Sequence, residues 1–226
     1  METIKEHDFI EIDYVARIKD SNQIFDLTIE KVAKEHHFNE DHKHYGPVIM
    51  CIGENNIVRG IDKGLLGKTP GNYRLIIGME DGFGKKNPKM IKLIASSVFI
   101  KQNINPIPGL QLEIDGTIGT IRSVSGGRCI VDFNHPLAGR ELEYDITFIK
   151  KINDVKSKIK SMLNFVFFLH DHHFSVEESE GNVVIKLDID QKVPENILNE
   201  FEKSAKALIP ELKSIKFNQD KTTTAE

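Results

Sequence analysis

The stretch from Gly46 to Gly84, GPVIMCIGENNIVRGIDKGLLGKTPGNYRLIIGMEDGFG, constrains the fold more than any other part of the chain. It reads as strand, turn, short helix, turn, strand and glycine-punctuated loop. Ile57, Ile61 and Leu65 fall four apart, on one helical face, and Gly67 follows as a left-handed stop. From Asn72 to Ile77 the period changes to two, with Tyr73, Leu75 and Ile77 on one side and Arg74 and Ile76 on the other. Gly60 and Gly64 sit inside the helix, where each costs about 1 kcal/mol relative to Ala. Close approach of the helix backbone to another element is the expected compensation, so the reading is a helix lying across a sheet.

Gly67-Lys68-Thr69 has the ending of a phosphate-binding loop but not the rest of it. The required earlier glycine is replaced by Asp62, and the triplet follows its helix instead of preceding it. Nucleotide binding is set aside on both counts. The balance of 34 acidic and 30 basic residues, with a pI near 6.2, argues against a broad basic face for nucleic acid. Charges from the second residue onward argue against a secretory signal, and no apolar run is long enough to span a membrane. Cys51 and Cys129 both lie in apolar, strand-like runs, so the expectation is buried free thiols in a reducing cytoplasm, with a disulfide as the lesser alternative.

Ahead of the central stretch, Phe9 to Ile18 alternates as a strand, Asp20-Ser21-Asn22 turns, and Gln23 to Leu27 returns as a hairpin carrying Phe25 and Asp26. Glu30 to Tyr45 is polar and holds His36, His37, His42 and His44 among Glu35, Glu40 and Asp41. Such a density of imidazoles can bind zinc or nickel, but the spacing fits no closed structural site, and a solvated loop is the default. Beyond Lys85-Lys86-Asn87-Pro88, a module with its own turns reads as a small β-meander: an apolar stretch Ile91 to Ile100, then strands near Leu110 to Ile114, Thr117 to Val124 and Arg128 to Phe133. Strand alternation resumes by Tyr144. The last segment reads as helix, strand, strand, helix, strand, and a core of about 70 residues is thin, leaving Phe165, Phe167 and Phe168 to meet another chain.

Ile57-Val58-Arg59-Gly60-Ile61, Gly64, the strand around Leu75 and Gly82-Phe83-Gly84 together resemble the central segment of FKBP-type peptidyl-prolyl isomerases. The run Asn134-His135-Pro136-Leu137-Ala138-Gly139, followed by Leu142 and Tyr144, resembles the re-entry point of the SlyD type, in which an insert-in-flap chaperone domain interrupts the loop over the active site. The whole chain resembles the long archaeal forms, which carry an extra C-terminal domain. The resemblance implies an α+β fold: an FKBP-like antiparallel half-barrel sheet crossed by a short helix, an inserted small β-rich domain and a C-terminal α+β domain. Its divisions would be 1–85 and 134–152 for the isomerase domain, 86–133 for the insert, and 153–226 for the last domain, with a homodimer contact through that domain.

The same resemblance implies a pocket of Tyr14, Phe25, Asp26, Met50, Ile57, Val58, Ile61, Phe83 and Tyr144, with Val98, Phe99, His135 and Leu137 as further substrate contacts. Read without the family, Tyr14 and Phe25 are ordinary core aromatics and Asp26 a turn residue. Ile61 replaces the usual Trp of the pocket floor and Phe83 replaces a Tyr, so catalysis is expected to persist while macrolide inhibitors bind weakly. The implied partners are unfolded or partly folded polypeptides containing X-Pro bonds, with no cofactor or metal, no nucleic acid and no membrane. Two rival readings are a non-catalytic holdase and a metal-binding accessory protein. The second is weakened by a tail, FNQDKTTTAE, that lacks the histidines of the SlyD type.

Overall fold

The first strand, β1 (Phe9–Ile18), sends Ile10, Ile12, Tyr14 and Ala16 to one face, where all are buried. This computed structural model describes residues 3–38, 45–189 and 191–219. After a turn with Asn22 at φ 55°, β2 (Gln23–Leu27) pairs with the second half of β1. α1 (Glu30–Glu35) follows, and β3 (Val48–Cys51) then takes the first half of that same β1 edge. Thr28 bridges the gap between them: the Tyr14 N–H donates to its Oγ1 at 2.8 Å, and its own N–H donates to the Tyr14 carbonyl at 2.9 Å.

The polar stretch expected to be a solvated loop thus contains a helical turn. Ala33, buried with Val15 and Leu27 and joined by Val32, Phe38 and Tyr45, gives α1 an apolar side to fold against. His42 and His44 lie outside the described residues.

α2 (Arg59–Leu65) buries Ile61, Asp62 and Leu65 and lies over β4 (Gly71–Ile77), whose Tyr73, Leu75 and Ile77 face inward. A Cβ at Gly60 would come within 2.4 Å of Ile77 Cγ2, and one at Gly64 within 2.6 Å of Leu75 Cδ1. The close approach predicted from the helix glycines is present at both. Gly67, at φ 75°, ends the helix and donates its N–H to the Ile4 carbonyl at 2.9 Å.

The chain then leaves the sheet for β5 (Ile91–Ala95), α3 (Ser96–Lys101), β6 (Gln111–Ile114), β7 (Thr117–Ser125) and β8 (Arg128–Asp132). The order β5-β8-β7-β6 is wholly antiparallel, so the expected meander gains a fourth strand and a helix from the apolar stretch at its start. Phe99, Ile121, Cys129 and Val131 form a core separate from that of the first sheet. Entry and exit are laced together at Asn87 and Asn134: the Asn87 N–H donates to Asn134 Oδ1 at 2.7 Å, and Asn134 Nδ2 donates to the Asn87 carbonyl at 3.1 Å. Buried Asp132 beside them accepts from Arg122 at 2.8 Å and Lys86 at 3.2 Å. Burial works against this carboxylate, but bonds from Asn134, Arg122 and Lys86 outweigh it and hold its pKa well below the usual range.

β9 (Leu142–Ile152) returns between β1 and β4, completing the order β2-β1-β9-β4 with β3 also on β1. Its Tyr144, Ile146 and Phe148 join the inner face, while Asp145 on the outer face accepts from Arg17 and Arg74, each at 2.7 Å. Farther along, that outer face turns apolar at Phe9, Cys51 and Ile152 and is covered by α4 (Val155–Phe167), which Asp154 caps by accepting the Ser157 N–H at 2.8 Å. β10 (Phe174–Ser179) and β11 (Asn182–Leu187) form a hairpin whose turn residues Glu180 and Gly181 have φ of 52° and 81°. α5 (Glu195–Leu208) leads to β12 (Ser214–Gln219), parallel to β11.

The last segment does not stand on a thin core of its own, as the sequence suggested. Phe9, Cys51 and Ile152 of the first sheet belong to the same cluster as Leu163, Ile185 and Phe201. Two of the three phenylalanines expected to meet another chain are taken up inside this one. Phe165 packs against the inner cluster of the first sheet, and Phe167 lies 5.4 Å from Phe201, ring to ring. Only Phe168 stays open, at 84 % exposure.

Candidate active site

A register shift on the first hairpin builds the site. Ala16 pairs with Asp26 and Arg17 with Ile24, so Phe25 is the extra residue of a bulge. In a regular strand Phe25 and Asp26 would point to opposite faces; a bulge re-aims one of them. Here both serve one side. The Tyr14 hydroxyl donates to Asp26 Oδ2 at 2.6 Å, while the Phe25 ring meets Phe83 at 6.2 Å and Tyr144 at 5.9 Å, both edge to face. Tyr14 and Tyr144 lie 5.7 Å apart. Burial, then the charge of Asp26, pushes both phenols far above their ordinary pKa, so both remain neutral donors.

Tyr14, Met50, Val58, Ile61 and Tyr144 belong to one buried cluster, with Phe25, Ile57 and Phe83 packed on its edge. Eight of the nine pocket residues expected from the sequence therefore meet, and Asp26 joins them through Tyr14. Met50 and Ile61, each at 0 % exposure, form the support beneath, and half-buried Phe25, Asp26, Ile57 and Phe83 form the rim. Val58 precedes α2 in extended conformation (φ −139°, ψ 145°), so its N–H lies ahead of the helical ladder. The loop carrying Phe83 is fastened at three places. Gly60 N–H donates to the Asp81 carbonyl at 2.9 Å, Gly84 N–H to Met79 at 2.7 Å, and Gly139 N–H to Gly84 at 2.7 Å.

The four further contacts divide. His135 stacks flat on Phe83 with centroids 4.4 Å apart, and half-buried Leu137 donates its N–H to His135 Nδ1 at 3.2 Å, so both belong to the flap beside the rim. Phe99 is corrected: at 1 % exposure it is a core residue of the inserted sheet and offers no surface to a substrate. Val98 is on the surface of that unit, 47 % exposed, and is not part of the aromatic cluster.

Asp62 was missed. It is buried beside a cavity of about 570 Å³ that is also lined by Ile57, Val58, Phe83, Asn55 and Glu6. Its Oδ2 accepts the Asn55 N–H at 3.0 Å, whereas Oδ1 has no partner among the described residues. Burial pushes this carboxyl up to about 6, against the bonds it accepts from the backbone and with the help of Glu6 and Glu54. The signal was present in the helix period, since position 62 falls next to 61 and three before 65 on the buried stripe.

Comparison with known proteins agrees with this geometry. The family described as FKBP-type peptidyl-prolyl cis-trans isomerase matches residues 1–101, and the family described as FKBP26, IF domain, matches residues 92–137. The short-type peptidyl-prolyl cis-trans isomerase of Methanocaldococcus jannaschii is 28% identical over 154 residues, covering 68% of this chain and 94% of that protein. A probable FKBP-type 16 kDa peptidyl-prolyl cis-trans isomerase of Pseudomonas fluorescens is 31% identical over 117 residues, 49% of this chain and 74% of that one. The isomerase SlyD of Haemophilus influenzae is 31% identical over 109 residues, 46% of this chain and 56% of that one. A bulged hairpin and a glycine-packed helix that bring Tyr14, Phe25, Asp26, Phe83 and Tyr144 together, in a sequence with these relatives, place the chain in the FKBP-type peptidyl-prolyl cis-trans isomerase family.

Proposed function

We propose that the protein catalyses cis-trans isomerisation of X-Pro bonds in folding polypeptides, at the rim of Phe25, Asp26, Ile57 and Phe83 over Ile61. The observation that carries this reading is the convergence of those aromatics on the Tyr14–Asp26 pair at 2.6 Å. A prolyl amide interconverts over tens to hundreds of seconds because rotation breaks its resonance, with a barrier near ~20 kcal/mol. No bond to carbon is made or broken. The twisted amide has lost conjugation and charge separation, so apolar walls favour it over the planar, hydrated form. The rings supply those walls, the Val58 N–H a donor for a client carbonyl, and Asp26, oriented by Tyr14, a fixed acceptor at the rim.

The chain divides by this reading into an isomerase unit (1–85 and 134–152), an insert (86–133) and a C-terminal unit (153–226). The insert acts as a holding surface: Leu93, Ile100, Ile107 and Ile118 are each more than half exposed, at 59%, 61%, 53% and 66%. Unfolded segments captured there raise the local concentration of prolyl bonds at the adjoining rim. Cys51 and Cys129, both free and buried, suit a reducing cytoplasm. A protease-free assay on a prolyl tetrapeptide tests the catalytic reading. A rate above the spontaneous one is expected; a rate equal to it leaves only a holdase.

A further inference from the structure

We propose that Asp62 is a positioning residue for prolyl isomerisation: it gathers loop 53–56 onto α2 and so fixes Ile57 and the Val58 N–H at the rim. The role rests on the isomerase reading. Val58 leads into α2 without a side-chain cap bond, so the conformation that presents its N–H is set by the loop before it. That loop turns at Gly53 and Asn55, with φ of 97° and 53°, a left-handed backbone that aims neighbouring N–H groups into one concavity. The Asp62 carboxylate faces it. Oδ2 accepts the Asn55 N–H at 3.0 Å, and the Gly53 backbone also favours the ionised form. On the other side, Asn56 Oδ1 accepts the Cys51 N–H at 2.7 Å and the Glu54 N–H donates to the Cys51 carbonyl at 3.3 Å, joining the loop to β3. From these two anchors the chain enters Ile57 and Val58, and both line one cavity with Asp62 and Phe83.

The charge is what this position adds. Asp62 is 4 % exposed, and its ionised form costs the folded chain stability that an amide of the same shape would not. A carboxylate, however, accepts a backbone N–H about twice as strongly as a neutral oxygen. The loop bonds therefore strengthen as the proton leaves and slacken as pH falls through about 6. Around Asp62 stand Glu6 from the N-terminal segment, Glu54 from the loop, Cys51 from β3, and Arg59 and Lys63 on α2. Glu6 and Glu54 help to keep the proton on, while Arg59 and Lys63 lie 3.9 and 2.7 Å from Asp81, which takes up their charge. Burial pushes the Cys51 thiol up to about 12, so it stays neutral, and His7 lies 3.7 Å from Glu54.

The test measures kcat and KM on a prolyl tetrapeptide in the protease-free assay from pH 5 to 8, for the full chain and for Asp62→Asn, which keeps the shape and removes the charge. At pH 7.5 Asp62→Asn should lower kcat/KM about tenfold, about 1.4 kcal/mol, while raising Tm. The loss should fall mainly on KM, because the Val58 N–H holds the client carbonyl before and during rotation alike. At pH 5, with Asp62 mostly protonated, the two chains should differ only about twofold. Groups common to both chains, His7 and His135 among them, cancel in that ratio. In amide NMR spectra the Asn55 and Val58 signals should move with a midpoint at about pH 6 in the unaltered chain and stay still in Asp62→Asn. A ratio that does not change with pH leaves Asp62 merely structural and overturns the role. If Asp62→Asn fails to fold, the unaltered chain still decides, since Asn55 and Val58 signals that stay still through pH 6 overturn the role as well. The absence of any catalysed rate refutes the isomerase reading itself, whereas a catalysed rate equal in both chains at pH 7.5 overturns only the part given to Asp62.

Discussion

Replacing Gly60 by Ala tests the packing on which the site depends. The added methyl would meet Ile77 Cγ2 at 2.4 Å, Cγ1 at 2.9 Å and Cδ1 at 3.0 Å. Cγ2 and Cγ1 branch directly from Cβ, on a strand residue only 3 % exposed, so Ile77 has no free end to swing aside. Overpacking of this kind costs about 1–3 kcal/mol, and the gain from Ala in a helix returns at most about 1 kcal/mol. A net loss of about 1–2 kcal/mol follows, which in a chain of this size lowers Tm by about 2–8 °C. Gly64 behaves differently. Its methyl would meet Leu75 Cδ1 at 2.6 Å and Cδ2 at 2.9 Å, the terminal atoms of a half-buried side chain that can rotate away. Gly64→Ala should therefore cost under about 1 kcal/mol.

Thermal unfolding of both variants, with a double-mutant cycle of Gly60→Ala against Ile77→Ala, checks the cause. If the clash is the origin, trimming Ile77 removes it and the double variant loses less than the sum of the single ones. Gly60→Ala should also reduce prolyl isomerase activity, because Gly60 N–H holds the Asp81 carbonyl at 2.9 Å and through it the loop of Phe83. A neutral or stabilising Gly60→Ala, or strict additivity with Ile77→Ala, would refute the reasoning.

Excising 86–133 with a short linker should greatly slow catalysed refolding of a proline-limited protein while sparing the tetrapeptide rate, since Gly84 and Gly139 on either side of the cut are already joined by a hydrogen bond at 2.7 Å; equal loss on both substrates sinks the division of labour. Asp62 makes stability depend on pH. Its carboxyl is raised to about 6 in the folded chain against an ordinary value of about 3.9, so the folded state holds the proton longer, and stability present below pH ~4 falls as pH rises towards ~6. Asp62→Asn should have a higher Tm than the unaltered chain at pH 7.5 and nearly the same Tm at pH 4; an offset that does not change with pH would refute the burial argument.

Much of the fold was legible because period and punctuation agreed. Ile10, Ile12, Tyr14 and Ala16 recur at every second position of β1, and the glycines of α2 mark its approach to Leu75 and Ile77. Glu30 to Glu35 was not legible, because its apolar side is only Val32 and Ala33, and their partners Val15 and Leu27 come from the preceding hairpin. Composition alone makes such a stretch a loop. The extent of the C-terminal core was hidden for a similar reason: Phe9, Cys51 and Ile152 lie far apart in sequence and acquire a common outer face only when β1, β3 and β9 are paired.

The site shows the same limit more sharply. Strand alternation places Phe25 and Asp26 on opposite faces, and no residue in Gln23 to Leu27 announces the shift that brings Asp26 to Tyr14 and Phe25 to Tyr144. The resemblance to a family could nominate the residues because it carries the outcome of that shift, but not its cause. Phe99 shows what happens without such a constraint. Its neighbours in sequence, Val98 and Ile100, are exposed, and in a short apolar run nothing tells the anchor of a helix from its surface. Only the pairing of β5 with β8 turns α3 so that Phe99 meets Ile121, Cys129 and Val131. On α3 the apolar groups left exposed are therefore Val98 and Ile100, and the role of Phe99 is to hold the helix that presents them.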